Sequence, residues 1–408
     1  MGAGAAGLMT GRELARAGHR VTILEARDRI GGRIWELPES EFGYRAEGGA
    51  EFIHGDAPVT KTLIADAGLT LLQGRRDGER LDMRGGTVSD RDDDAPGFEL
   101  LPEKLAALKH DLPIAQFLDR NFTGEQFAAL RRSIIRMTEG YDAADPNRAS
   151  TFALREEWLG GGLRQSSRVA EGYGAIMKFL AAEIRKHGGA IRFNVEVKSV
   201  EGATVRCADG TTITGDRILN TVPLPVLHDI DFGGAFVPKL AAADAIGYGD
   251  VIKILFGFKT MFWKSAHGRD MSHLSFLLSD EFVPTWWTQY PRPHTVLTGW
   301  FAGPRAAKST LSEAELIERG LDAVSRIFAT DARPHLTAAR AIHWGRDPFA
   351  RGAYSYATPE SHDAQDELSK PLGTLYYAGE ALYRGADMGT VEAALANGKD
   401  TAARILAA

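Results

Sequence analysis

The stretch Gly2-Ala3-Gly4-Ala5-Ala6-Gly7 at the head of the chain constrains its fold more than any other. In a G-x-G-x-x-G turn the first glycine makes a tight strand-to-helix corner and the second lets backbone approach a pyrophosphate. The third lets the helix pack closely on the strand, with its N-terminal amides aimed at phosphate oxygens. Alone the pattern is weak, because Gly-Ala-rich helix starts are common. Here it continues correctly. Leu8, Leu14 and Ala15 stand among small residues in a helix that stops at Ala17-Gly18, where glycine supplies the left-handed position. Val21-Thr22-Ile23-Leu24 is a β-branched run ending in Glu25, 18 residues after Gly7. A dinucleotide site needs a carboxylate there for ribose hydroxyls. The spacing predicts a bound adenine dinucleotide served by Gly2, Gly4, Ala5, Gly7 and Glu25.

A buried strand of about five or six residues is expected before such a turn, yet the sequence begins at Met1. The dinucleotide sheet is therefore expected to lack its central strand. An upstream start, a substitute segment or compromised binding would each account for this, and the first is preferred.

With 408 residues the chain is too long for one ordinary core and predicts two domains. The 44% hydrophobic and 25% charged content is that of a soluble globular protein. A net charge of −6 gives no basic field, so nucleic acid is not an expected partner. Cys207 is the single cysteine, which excludes an internal disulfide framework and fits a reducing cytoplasm. No apolar run reaches the roughly 18 residues of a spanning helix, no signal peptide is recognisable, and Ala6 stands where a myristoylation motif needs Ser or Thr. No membrane association is expected. The cluster Asp90-Arg91-Asp92-Asp93-Asp94 has no spaced His or Cys beside it, so it reads as a solvated loop and no metal is expected.

Along the chain, residues 57–165 lose the nucleotide pattern. Val59 to Leu69 reads as an amphipathic helix capped by Gly68, and Arg75 to Gly97 as a polar loop. Leu100 to Met137 carries helical periodicity, and Trp158-Leu159-Gly160-Gly161-Gly162 marks a break. Gly172-Tyr173-Gly174 opens a helix through Lys186, followed by short strands from Ala190 to Val222 with a hairpin at Ala208-Asp209-Gly210. Tyr248 to Phe258 alternates as a strand with Ile252, Ile254, Phe256 and Phe258 on one face and Val251, Lys253 and Leu255 on the other. Lys253 either snorkels to water or points into a wet cavity. Trp286-Trp287, Trp300 and Phe301 read as core or sheet surface, and Ser312/Glu315 as a capping box.

The run Glu25-Ala26-Arg27-Asp28-Arg29-Ile30-Gly31-Gly32-Arg33 brings a flexible loop and a permanent cation up to the pyrophosphate. It resembles the E-A-R-x-R-x-G-G-R signature of the flavin-containing amine oxidase family, which groups monoamine, polyamine and L-amino-acid oxidases with histone lysine demethylases. Four further segments extend the resemblance over nearly the whole chain. They are Tyr44 to Gly55, Asn194 to Val200, Trp344 to Ser355 and Leu375 to Ala394; Val251-Ile252-Lys253 with Phe262-Trp263 adds to them.

The resemblance implies FAD, bound non-covalently because Ala353 stands where mammalian monoamine oxidases carry a flavin-linking Cys. It implies that Ala26, Arg27, Gly32 and Arg33 serve the pyrophosphate, and that Gly48, Gly49, Ala50 and Glu51 run along the flavin ring. Val197 would meet the adenine through its backbone, and Gly379 and Glu380 the ribityl-phosphate. A helix starting at Thr390-Val391 would aim its positive end at the flavin. Lys253 would reach flavin N5 through a water, and Tyr354 would form one wall of an aromatic cage. The opposite wall maps onto Thr390, so the cage is half-built. His54 is either a substrate-entrance residue or a histidine satisfied by backbone at a strand end.

The fold class implied is α/β: a discontinuous Rossmann-like FAD-binding domain (residues 1–56, 166–240 and 370–408) and an α+β substrate domain (57–165 and 241–369). The implied reaction moves a hydride from the α-carbon of a mono- or polyamine to flavin N5. The imine then hydrolyses to an aldehyde or ketone plus amine or ammonia, and O2 gives H2O2. The alternatives are a desaturase or oxidase of a non-amine on the same fold, a chromatin demethylase, for which no long helical insertion or basic arm is present, and a non-catalytic FAD-binding paralogue. The choice among amines is not readable, nor is oligomeric state, and a homodimer remains open.

Overall fold

The structure is a computed structural model that describes residues 1–74, 78–90, 95–160 and 166–408. Helix α1 (Ala5–Arg16) is entered through Gly2 at φ +94 and followed by Gly18 at φ +88. Packing accounts for two of the three signature glycines. A Cβ on Gly7 would lie 2.1 Å from Gly2 O, and one on Gly2 would lie 2.7 Å from Thr221 Oγ1. Helices α2 (Tyr173–Lys186) and α3 (Val391–Leu406) pack against α1, over a core that includes Leu8, Met9, Ile176, Leu180 and Leu395.

Thr22–Leu24 pairs in parallel with Ala190–Arg192, and Ile218–Asn220 pairs in parallel with Leu375–Tyr377. These are two separate ladders among the described residues. Met1 and Gly2 link them: Gly2 N donates to Leu24 O at 2.8 Å, and Thr221 N donates to Met1 O at 3.0 Å. The sheet is thus divided where the sequence places its central strand. A three-stranded antiparallel sheet (Val197–Glu201, Thr204–Cys207, Thr212–Thr214) lies beside it with the expected hairpin.

The larger sheet has seven strands in the order Leu336–His343, Val251–Phe258, Val296–Ala302, Thr285–Thr288, Leu274–Ser279, Glu79–Arg84, Thr87–Asp90. All eight residues of Val251–Phe258 are buried. Ile252, Ile254, Phe256 and Phe258 join the main core, whereas Val251 and Leu255 belong to other clusters. The alternation read from sequence sorts these residues correctly.

The expectation of a solvated loop over Arg75–Gly97 is overturned for Glu79–Asp90. Glu79–Arg84 and Thr87–Asp90 form a hairpin across Gly85 and Gly86, both at positive φ. Leu81 and Met83, two apart in a charged run, enter the main core. That spacing was the signal, masked by the polar residues around it. Asp92, Asp93 and Asp94 lie outside the described residues. Thr151–Gly160 is helical, which overturns the expected break at Trp158, Leu159 and Gly160; Gly161 and Gly162 lie outside the described residues. Leu101–Ala106, Ile114–Asn121 and Ala128–Gly140 form the expected helices, packed around Phe117, Phe122, Leu130 and Ile134. Glu313–Ile327 carries the full Ser312/Glu315 capping box.

Candidate active site

A cavity of about 1000 Å³ extends from the nucleotide core to the seven-stranded sheet. Gly2, Gly4, Ala5, Glu25, Ala26 and Arg27 reach its wall at one end, as do Gly32 and Arg33. Glu25 is held by backbone: Oε2 accepts from Ala3 N at 2.7 Å and Oε1 from Arg27 N at 2.9 Å. Gly7 and Gly48 stand behind the wall. Gly7 supports the turn, and Gly48 O accepts from Trp344 Nε1 at 3.2 Å.

The fit to a dinucleotide can be read from what a side chain would meet. A Cβ on Gly4 or on Gly379 would have nothing within 4 Å. Both lie at the cavity wall, so their bare backbone is open to close approach by a group in the cavity. Gly4 is also the N-cap of α1, which has no side-chain cap and no acidic residue in its first turn. Its leading amides, without intrahelical partners, suit a pyrophosphate.

The two signature arginines reach the wall already paired. Arg27 makes two bonds to Asp347 at 2.9 and 2.5 Å and lies over Phe349 at 5.3 Å. Arg33 Nη1 donates to Ala353 O at 2.7 Å and to Glu380 Oε1 at 2.8 Å. Burial works against the Arg33 charge, but Tyr248 and Glu380 outweigh it, so the guanidinium holds its proton more firmly than usual. Glu380 also accepts from the Ser355 hydroxyl. Val197 reaches the cavity next to Val195, whose N–H donates to Glu25 O at 2.9 Å.

At the other end, Lys253 has no exposed surface. Its Nζ donates to Gly49 O at 3.0 Å and to Glu51 Oε2 at 2.9 Å. Both groups line the cavity with it, so the snorkelling reading of Lys253 falls. Gly49 and Ala50 reach the wall beside it. Glu51, expected along the flavin, is the hub of a buried network: it also accepts from Arg168 Nε at 3.1 Å, Trp287 Nε1 at 3.1 Å and Gln289 Nε2 at 2.9 Å. Burial raises such a carboxyl, but Lys253 and Arg168 win and hold it down at about 2.

The Tyr354 hydroxyl donates to Tyr141 O at 2.6 Å. Its ring stacks with Trp300, centroids 6.5 Å apart and planes 19° apart. Trp300, read from sequence as core or sheet surface, is the aromatic partner. Thr390 reaches the wall of the same cavity with a non-aromatic side chain, as the half-built cage implies. Its hydroxyl donates to Asp387 O at 2.6 Å and accepts from Ala393 N at 3.1 Å, so both of its functions serve to cap α3, which starts at Val391.

His54 lies at the wall with Nδ1 3.1 Å from Ser166 Oγ and its ring 5.4 Å from that of Tyr141. Burial lowers it to about 4, so it is neutral at pH 7. Two acids that sequence reasoning did not single out line the same end, Asp142 and Glu157. Burial pushes Glu157 up to about 7. Burial and the Glu157 charge push Asp142 well above the usual carboxylate range. Among the described residues, Glu157 Oε1 is buried without a hydrogen-bond partner. In the sequence both acids look like ordinary surface charges.

The profile described as flavin containing amine oxidoreductase matches residues 5–406. Human lysine-specific histone demethylase 2 is 26% identical over 445 residues, covering 100% of this chain and 53% of that protein. The chain spans about half the length of the first curated relatives it matches. Probable polyamine oxidase 4 of Arabidopsis thaliana is 27% identical over 426 residues, covering 94% of this chain and 81% of that protein. Among solved structures, wild-type putrescine oxidase bound to putrescine superposes with TM-score 0.81 at 20% identity, covering 100% of this chain and 98% of the other. Cyclohexylamine oxidase from Brevibacterium oxydans IH-35A gives TM-score 0.80 at 20% identity over 99% and 97%. A family match over almost the full length, on a wall that asks for a dinucleotide, settles what kind of chain this is: it belongs to the flavin containing amine oxidoreductase family, and its cofactor is FAD.

Proposed function

We propose that the chain oxidises an amine that carries a second cationic nitrogen, a diamine or polyamine, with FAD as acceptor and O2 as second substrate. The observation that carries this reading is the Asp142–Glu157 pair. Two carboxyl residues line one cavity, one of them with an oxygen that has no partner among the described residues. A cation at that place restores the ionised state of both and supplies the absent hydrogen bonds. A neutral substrate would leave the pair unmatched, which argues against the non-amine alternative. The polyamine oxidases among the relatives point the same way.

In this reading the reacting nitrogen lies by Tyr354 and Trp300, whose ring faces favour a positive or polarised amine. Neutral His54 adds no opposing charge. Gly49–Glu51 and Tyr354 exclude water and orient the amine carbon. FAD, when bound, supplies the acceptor for the two electrons and hydrogen leaving that carbon. Lys253, with two of its three N–H groups used by Gly49 and Glu51, has one left for the cavity it lines. The reading divides the chain into an FAD part (1–56, 166–240, 370–408) and a substrate part (57–165, 241–369), although Leu63 and Ile64 pack in the nucleotide core and Ala242, Ala243 and Leu368 pack with Leu24 and Leu375. It takes the cytoplasm as the location because Cys207 is the single cysteine. Among the described residues, no helix is long and apolar enough to cross a membrane.

The test starts with the visible spectrum of the purified protein for flavin, then compares a diamine with a monoamine of equal carbon count. Asp142→Asn with Glu157→Gln should lower kcat/KM for the diamine about 100-fold and leave the monoamine nearly unchanged. Equal losses on both substrates would remove the pair from recognition.

A further inference from the structure

Glu51 is an unusual residue to find at a cavity wall, because four donors from three parts of the chain converge on it with five bonds. The two cations divide its oxygens: Arg168 Nε meets Oε1 at 3.1 Å and Lys253 Nζ meets Oε2 at 2.9 Å. Gln289 adds a bond to Oε1 at 2.9 Å, and Trp287 Nε1 bridges both oxygens at 3.1 Å. The carboxylate cannot swing without breaking several of these. Lys253 is equally confined. Its strand places it between Trp300 and Ile342, and its ammonium lies 5.5 Å from the Trp287 ring.

We propose that Glu51 is a positioning residue for Lys253: its carboxylate fixes the buried ammonium at the cavity wall and keeps it charged there. This rests on the FAD-dependent reading given above. The groups that bear on Lys253 and its partner are Glu51, Glu47, Arg168 and Tyr44. Burial pushes Glu47 up to about 8, against the bond from Tyr173 N, so near neutrality it is mostly uncharged. Glu51 is then the anion that pays the cost of burying Lys253. An unpaired ammonium without exposure gives up its proton at a much lower pH than an ordinary lysine.

The experiment compares wild type, Glu51→Gln and Glu51→Gln/Lys253→Met in two measurements between pH 6 and 10. In the holoprotein, the rate at which O2 reoxidises reduced flavin is followed. In Glu51→Gln it should fall about tenfold as the pH rises past neutrality, a break missing from wild type and from the double variant. Titration of Glu47 is common to all three and cancels in the comparison.

In cofactor-free protein, the Tm of Glu51→Gln should climb through the same window. With its folded pKa depressed, Lys253 binds fewer protons folded than unfolded between that value and the ordinary lysine value of about 10.4. Stability therefore rises with pH there, and the double variant should lose the rise. No break in Glu51→Gln, or one that survives in the double variant, overturns the proposal. Wild type that takes up no FAD would overturn the functional reading, while the Tm series still reads the pair.

Should Glu51→Gln not fold, Lys253→Met probes the pair from the other side. Of its two cations Glu51 would keep only Arg168, its carboxyl would move up from about 2, and acid unfolding should begin at a higher pH than in wild type. An unchanged acid midpoint overturns the proposal.

Discussion

The nucleotide end of the cavity is walled mostly by backbone: Gly4, Gly32 and Gly379, the start of α1, and amides that fix Glu25. The other end is walled by side chains, the buried Lys253 and Glu51 and the half-buried Asp142, Glu157, Trp300 and Tyr354. The two materials solve different problems. A pyrophosphate is recognised by close approach and by many weak dipoles, which needs small residues at fixed spacing. An amine is recognised by a few charges and ring faces, which needs groups brought together from distant segments. The first kind of site tolerates charge changes nearby and fails on added bulk. The second tolerates little change of charge.

The sharpest test of this contrast adds bulk where only the cavity would notice. Gly4→Val should cut the flavin content of purified protein at least roughly tenfold, since the backbone can no longer approach the pyrophosphate. The Tm of its cofactor-free form should stay within a few degrees of wild type, because a Cβ there meets no protein atom. Gly7→Ala should do the reverse and destabilise the fold by about 1–3 kcal/mol or more, because its Cβ would strike Gly2 O. Full flavin content in Gly4→Val would end the backbone account.

A change of pH probes the other end. Glu157 near 7, and Asp142 above the ordinary range, are protonated in mild acid and ionise as the pH rises. KM for a diammonium substrate should therefore fall about tenfold between pH 6 and 8, and KM for a monoamine should not follow the same curve. Steady-state kinetics with both amines checks this. The smallest effect is expected from Thr390→Ala, which deletes the cap of α3 and should cost about 1 kcal/mol, seen as a Tm lower by a few degrees and restored by Thr390→Ser.

The same contrast explains how much the sequence disclosed. The glycine turn, Glu25 and the Gly-Gly-Arg loop are local, so spacing alone located them. The Lys253 strand was legible because alternation sorts its faces. Trp300, Arg168, Gln289, Asp142 and Glu157 were not, since each becomes part of a site only through a partner far away in the chain. Thr390 was legible as a cavity residue, but its second role as the cap of α3 shows only in its bonds to Asp387 and Ala393. The Glu79–Asp90 hairpin was hidden because two apolar residues among charges are too few to show a period.

One small loop joins the two ends. Gly389, at φ +84, leaves no room for a side chain: a Cβ would lie 2.7 Å from Ser355 O and 3.2 Å from the Tyr354 ring. Ser355 in turn donates to Glu380, which holds Arg33. The Tyr354 ring and Arg33, proposed to serve the amine and the pyrophosphate, are therefore joined by one train of contacts. By thermodynamic reciprocity, whatever factor the nucleotide adds to amine affinity by stiffening this train, the amine returns to the nucleotide.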